Sequence, residues 1–215
     1  MDIGELRRDY TQRGLDATDL DPDPFVQFEL WFQQAREAEL LEPNALVLST
    51  VSAAGEPHQR TVLLKYFDRD GFVFFTNYGS RKAQHIAANA HVSMLFPWYP
   101  LERQLAIAGT ASKISVAESL QYFSSRPRSS QLGAWVSQQS SVISSRQLLE
   151  NQFDTMKEKF LNQEVPLPGF WGGYRVKPTS FEFWQGRPSR LHDRFLYSQP
   201  EGQPDGQWAI DRLSP

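Results

Sequence analysis

From Ala45 to Ser112 the chain is a succession of short β-prone runs whose close spacing and short turns argue for antiparallel neighbours. The runs are Ala45 to Val51, Arg60 to Phe67, Phe72 to Thr76, Val92 to Trp98 and Gln104 to Ser112, with Ala54-Gly55 and Asp70-Gly71 as turn formers. This spacing predicts an antiparallel meander. Ser80 to Asn89 interrupts it as a helix, with Ser80 in position to cap it. Upstream, Asp23-Pro24 reads as an N-cap with proline in the first helical turn, followed by Phe25, Phe28, Trp31, Phe32 and Ala35 at helical spacing. Downstream, Val116 to Ser124 and Ser145 to Phe160 are helical in pattern. Gly172 to Val176, Ser180 to Trp184, Phe195 to Tyr197 and Trp208 to Ile210 are further strand candidates. The economical architecture is mainly β with flanking helices (α+β), a small barrel wrapped by helical segments.

With 215 residues, 40% of them hydrophobic, the chain can bury a substantial core. It contains no cysteine, which excludes disulfides, thiolate metal sites and a cysteine nucleophile. His58, His85, His91 and His192 are scattered without metal-ligand spacing, so no metal is expected. A net charge of −3 argues against a nucleic-acid partner. No run approaches the roughly 18 apolar residues of a membrane span, and no basic, apolar leader opens the chain. A cytoplasmic protein without a membrane partner is the expectation.

The positive residues are clumped, and the clumps carry the chemical signal. Gly-x-Gly-x-x-Gly and Gly-Lys-Ser/Thr phosphate loops are absent. Arg60 and Lys65 instead lie in an otherwise apolar run, where an uncompensated interior charge costs several kcal/mol. Strict alternation puts them on opposite faces, so either a bulge re-aims one or they serve two anions. Thr76 to Lys82 runs from a strand end into a helix N-terminus, where free N–H groups and the helix dipole favour an anion beside Arg81 and Lys82. Tyr122, Arg126 and Ser130 recur every four residues, but Pro127 breaks the helix, so only a turn can converge them. Between Trp184 and Arg194 the chain packs three arginines and His192, and alternation predicts Arg190, His192 and Arg194 on one strand face.

These segments, in order, resemble the pyridoxamine 5'-phosphate oxidase family. The matching motifs are Arg-x-Val-Leu-Leu-Lys at 60–65, Thr-Asn-x-Gly-Ser-Arg-Lys at 76–82, Leu-Phe-Pro-Trp at 95–98, Glu-Arg-Gln at 102–104 and Ser-Arg-Pro-Arg at 125–128. They continue with Gln-x-Gly-Ala-Trp-Val at 131–136, Phe-Trp-Gly-Gly at 170–173, Phe-Trp-Gln-Gly at 183–186 and Arg-Leu-His-Asp-Arg at 190–194. Arg187-Pro188-Ser189 departs from the family's glycine-rich stretch at that point.

The resemblance implies an FMN-binding split β-barrel acting as a homodimer with shared active sites. The polar first segment, residues 1–23, with only a weak helical stripe at Ile3, Leu6 and Tyr10, reads as an N-terminal arm before a single domain over 24–215 with helical insertions, and the resemblance makes that arm a lid. FMN contacts carry over to Arg60, Thr61, Val62, Leu63, Leu64, Lys65, Phe75, Thr76, Arg81, Lys82, Gln104, Gln139, Ser140, Trp184 and Arg194. Substrate contacts carry over to Lys65, Tyr122, Arg126 and Ser130 for the phosphate. Arg190 and His192 would act as the catalytic pair over the ring, and Arg7, Arg8 and Tyr10 would close the site. The implied reaction converts phosphorylated B6 vitamers, pyridoxamine or pyridoxine 5'-phosphate, into pyridoxal 5'-phosphate. Oxygen is the acceptor, hydrogen peroxide is released, and ammonia leaves from the amine. A flavin- or haem-binding barrel that stores or senses its ligand is the alternative, but it has no use for a second anion site.

Overall fold

The computed structural model describes residues 9–200 and 207–215, together with Met1 and Ile3. Helix α1 (Pro24–Glu37) starts where the sequence predicts, with the Asp23 carboxylate accepting from Phe25 N at 2.9 Å. Strands β1 (Ala45–Val51), β2 (Pro57–Leu63), β3 (Tyr66–Asp68) and β4 (Gly71–Asn77) follow. The predicted strand Arg60 to Phe67 is thus two strands broken at Leu64-Lys65. There the backbone turns to donate from Leu64 N to Asn44 O and from Lys65 N to Val73 O, both at 2.9 Å. Gly71 sits at φ +133, and a Cβ there would lie 2.1 Å from Val176 O, so the predicted Asp-Gly turn depends on glycine.

Helix α2 (Arg81–Ala88) precedes β5 (His91–Trp98) and β6 (Arg103–Lys113). Helices α3 (Val116–Ser125), α4 (Arg128–Val136) and α5 (Arg146–Lys159) lead into β7 (Trp171–Gln185), β8 (Asp193–Ser198) and β9 (Ala209–Leu213). Every strand pairing is antiparallel, but the order β2-β1-β5-β6-β7-β4-β3 is not the predicted sequential meander. The two strands expected at Gly172 to Val176 and Ser180 to Trp184 are one. The pairing shifts register at Ala108/Gly109, opposite Pro178, so an irregularity absorbs the proline that lacks an N–H.

Strand β7 divides the sheet. One edge pairs with β6 from Tyr174 to Gln185, while the other serves β4 over residues 171–176 and β8 over residues 180–185. The sheet opens between β4 and β8, giving a split barrel. Alternation along β1 and β5 buries Leu46, Leu48, Met94 and Phe96, and α1 covers that interior with Phe25, Phe28 and Trp31. A second core forms under α3 to α5 around Phe123, Leu132, Phe160 and Trp171. Among the described residues, no helix is long and apolar enough to cross a membrane.

Phe28 is fully buried, and its ring meets those of Phe32, Phe67, Phe72, Phe96 and Trp98 at 4.7–6.3 Å. Phe28→Ala should lower unfolding stability by about 3–5 kcal/mol, read by urea denaturation, because the rigid rings around it cannot close the void.

Candidate functional site

Between the two cores lies a cleft of about 600 Å³. Its walls come from Thr61, Val62 and Leu63 on β2 with Lys65 just beyond, and from Phe75, Thr76 and Asn77 on β4. Lys82 of α2, Tyr122 of α3, Arg126 after it, Ser130 of α4, Gln139 and Trp171 complete the lining that matters chemically. Among the described residues, the cations Lys65, Lys82 and Arg126 line this space and no carboxylate does.

At one pole stands Lys82, 8% exposed. Its ammonium donates to Thr76 Oγ1 at 3.1 Å and Gln139 Oε1 at 3.0 Å, two neutral acceptors. Burial first, then the charge of Arg60, depresses its pKa from 10.5 to about 8. Arg60 donates to Thr50 Oγ1 at 2.7 Å and Leu48 O at 3.2 Å. Burial and then Arg81 lower its pKa in turn. Ser80 occupies the N-cap position of α2, but the predicted cap bond is missing, since its hydroxyl turns to Thr76 Oγ1 at 3.4 Å. In place of the local Ser80 cap, the first N–H of α2, that of Arg81, donates to Ser140 Oγ at 3.3 Å. Cations, a dipole end and hydroxyls without a paired carboxylate are the donor set of a phosphate. Arg81, Gln139 and Ser140 also line an adjoining 810 Å³ cleft.

At the other pole Arg126 leaves its Nη1 buried, with no hydrogen-bond partner among the described residues. Its guanidinium lies 4.7 Å over the Trp171 ring, and burial lowers its pKa. Leaving a buried charged donor unsatisfied costs more than an ordinary hydrogen bond returns, so the group is poised for an anion. Pro127 caps α4 and turns the chain so that Tyr122, Arg126 and Ser130 converge on the cleft. Between the poles the Phe75 ring stacks on Tyr122 at 3.9 Å and on Trp171 at 5.2 Å, a flat apolar wall.

Other sequence-predicted residues lie elsewhere. Leu64 is buried in the main core. Gln104, Trp184 and Arg194 form one row across β6, β7 and β8 at the far end of β7. Arg190 and His192 do not share a strand face with Arg194, contrary to the alternation argument. Ser189 and Arg190 have φ of 57 and 60 in a tight turn, and β8 begins only at Asp193. What the structure brings together there is aromatic: His192 lies 4.6 Å from Trp184, and Tyr10 packs on both rings at 5.5 and 5.7 Å. His192 Nδ1 accepts from Arg187 N at 3.1 Å, so the neutral ring carries its proton on Nε2. Burial and Arg190 push its pKa down. Arg7 and Arg8 lie outside the described residues.

Sequence reasoning assigned no role to Asn77, Ser137, Gly133 or Ala134, which also line the cleft. Asn77 donates to Ser137 O at 2.8 Å and accepts from Gly79 N at 2.7 Å, tying the α2 approach to the loop after α4. Trp171 belongs to the Phe-Trp-Gly-Gly motif, and its stacking on Phe75 and under Arg126 makes it part of the cleft wall. Among the described residues no cluster of three or more metal-ligating side chains occurs.

Fold and site define the class: a split β-barrel protein with an aromatic-walled cleft built for anionic ligands. The family described as "Pyridoxamine 5'-phosphate oxidase" matches residues 32–160, and its "Pyridoxine 5'-phosphate oxidase C-terminal dimerisation region" matches residues 171–215. A relative named pyridoxine/pyridoxamine 5'-phosphate oxidase from Crocosphaera subtropica is 66% identical over 215 residues, covering 100% of both chains. Another of that name, from Rippkaea orientalis, is 63% identical with the same coverage. Among solved structures, PhzG from Burkholderia lata 383 in complex with tetrahydrophenazine-1-carboxylic acid superposes with a TM-score of 0.87. It is 26% identical and covers 95% of this chain and 99% of its own. A pyridoxamine 5'-phosphate oxidase-related, FMN-binding protein from Nostoc punctiforme shares the fold with a TM-score of 0.71, at 16% identity over 93% of this chain and 100% of its own. The chain belongs to the pyridoxamine 5'-phosphate oxidase family.

Lys82 generates a pH test. A bound phosphate favours its charged form, while the free protein loses that proton as pH rises through about 8. The affinity for a phosphate monoester, already dianionic well below this range, should therefore fall as pH rises from 7 to 10. Lys82→Met should weaken binding at pH 7 and flatten the profile, as read by titration calorimetry.

Proposed function

We propose that this chain is an FMN-dependent oxidase that converts pyridoxamine or pyridoxine 5'-phosphate into pyridoxal 5'-phosphate. Oxygen is the acceptor, hydrogen peroxide is the by-product, and ammonia is released from the amine. The observation that carries the reading is one cleft with two separate cationic poles and an aromatic wall between them. A cofactor phosphate and a substrate phosphate can be held there at once, which a barrel that only stores a ligand does not need. The relatives' shared name supplies the reaction, and full-length identity above 60% supports carrying it over. A cytoplasmic location belongs to the same proposal, on the strength of the family alone.

In this reading FMN, when bound, supplies the two-electron acceptor. Lys82, Arg81, Arg60, Thr76 and Ser140 hold its phosphate, and Thr61, Val62, Leu63, Leu64, Phe75 and Gln139 border it through side chains or backbone. Lys65, Tyr122, Arg126 and Ser130 hold the substrate phosphate, each contact contributing about 1.5–3 kcal/mol if charge-assisted. Arg190 and His192 orient the substrate ring and its reacting carbon, where misorientation costs several kcal/mol of barrier. Gln104, Trp184 and Arg194 complete the cofactor side. Residues 1–23, with Arg7, Arg8 and Tyr10, form the arm over a single domain at 24–215.

These last groups come from the partner subunit. Trp171 lines the cleft, whereas Trp184 lies thirteen residues further along the same strand, up to roughly 40 Å away at about 3.3 Å per residue. The stretch from 171 to the C-terminus is also the region that matches the dimerisation model. A symmetric pair of chains can lay the Trp184 end of one β7 against the cleft of the other.

The protein should purify yellow, or become so with FMN, and should consume oxygen only when a phosphorylated B6 vitamer is added. A protein that FMN cannot reconstitute would refute the assignment. Separately inactive Lys65→Ala and Arg190→Ala dimers should recover activity after subunit exchange, since one of the two mixed sites is then intact. No recovery after exchange verified by mass spectrometry would place both residues in one subunit.

A further inference from the structure

Glu102 opens the Glu-Arg-Gln motif at 102–104, yet it lines neither cationic pole. It is 2% exposed and holds a left-handed backbone at φ 55, at the end of the turn that follows β5. Its carboxylate reaches a segment about ninety residues away in sequence: Oε2 accepts from Thr11 N at 2.8 Å and from Gln12 N at 3.0 Å. Its backbone carbonyl accepts from Gly186 N at 2.7 Å and from Gln185 Nε2 at 3.2 Å. A single residue thus fastens the arm to the end of β7 that carries Trp184. On the far side of the arm, Leu15 N donates to Asp193 Oδ2 at 3.0 Å.

The segment so held delivers Tyr10. Its ring meets Trp184 at 82° and His192 at 81°, both edge to face. Gly186 is the floor under it, since a Cβ there would stand 2.8 Å from the Tyr10 ring and 3.2 Å from Glu102 Cβ. Two consecutive backbone N–H groups converging on one carboxylate oxygen make a charge-assisted pair, roughly twice as strong as neutral hydrogen bonds. That pair sits where it fixes both the height and the direction of residue 10.

We propose that Glu102 is a positioning residue for the reaction: by binding the N–H groups of Thr11 and Gln12, it sets Tyr10 against His192 and Trp184 and holds the arm over that end of the site. The inference rests on the assignment of His192 to the substrate under the proposed function, but the latch itself can be tested without turnover.

Arg13 offers the probe. Its side chain is 86% exposed, while backbone bonds at Gln12 and Leu15 flank it, so cleavage after Arg13 requires the arm to lift. Wild-type dimer, Glu102→Gln and Glu102→Met would be digested with trypsin, and the appearance of the new N-terminus at Gly14 timed by mass spectrometry. The latch predicts at least fivefold faster cleavage in Glu102→Met and an intermediate rate in Glu102→Gln, whose neutral oxygen still accepts. KM for pyridoxine 5'-phosphate should rise in the same order, to about tenfold, while FMN affinity stays at the wild-type value. In a Tyr10→Ala background the Glu102→Gln effect on KM should largely vanish, because the two residues act through one placement. Wild-type cleavage rates in both Glu102 variants would overturn the latch whether or not the enzyme turns over. Full additivity with Tyr10→Ala would overturn the positioning role. If Glu102→Met fails to fold, Glu102→Gln and its cycle with Tyr10→Ala decide the matter alone.

Discussion

The pairing of β7 along β6 is the interaction on which the other parts of the structure depend. Because β6 holds one edge of β7 from Tyr174 to Gln185, the opposite edge is free to serve β4 at one end and β8 at the other. That division opens the barrel. It places Trp171 under the helical core at the cleft, and it carries Trp184 away to meet His192 and Tyr10. A strand that long must accommodate Pro178, and the register irregularity at Ala108/Gly109 does so without ending the ladder. Gly109 is part of this solution, since a Cβ there would meet Lys177 O at 2.3 Å.

Electrostatics then decides what the cleft can hold. Burying Lys82 and half-burying Arg126 and Arg60 without carboxylate partners among the described residues works against folding, and the depressed pKa of each records it. Natural cores avoid such arrangements unless a ligand compensates them. Here the uncompensated charge lies at two points, Lys82 and Arg126, with the stacked rings of Phe75, Tyr122 and Trp171 beside them. Under the proposed function, the phosphate of FMN would meet the Lys82 pole and that of the B6 vitamer the Arg126 pole.

Much of this was legible in the residues themselves. Asp23-Pro24 and the spacing of Phe25, Phe28 and Trp31 specify α1 because cap and periodicity agree locally. Asp70-Gly71 specifies a turn because only glycine avoids the carbonyl of Val176. The cations that line the cleft were visible as charges without sequence-local partners. Illegible were the outcomes that rest on distant partners. Period-two alternation through Arg190, His192 and Arg194 assumed a strand that the left-handed Ser189 and Arg190 do not allow. The break at Leu64-Lys65, which frees Lys65 to face the cleft while Arg60 turns to Thr50, is set by bonds to Asn44 and Val73.

The sequence by itself determined the antiparallel β architecture, the helix under the aromatic core, the absence of thiol chemistry and the types of residue available to bind phosphate. These follow from local propensity, turn chemistry and composition, which act within a few residues. Tertiary structure alone decided which cations share a cleft, which aromatic rings form its wall, and that one strand would carry its two ends to different places. It alone tied Glu102 to the arm. Those outcomes depend on contacts between residues tens to nearly two hundred positions apart, and their energies come from burial and geometry that no local pattern encodes.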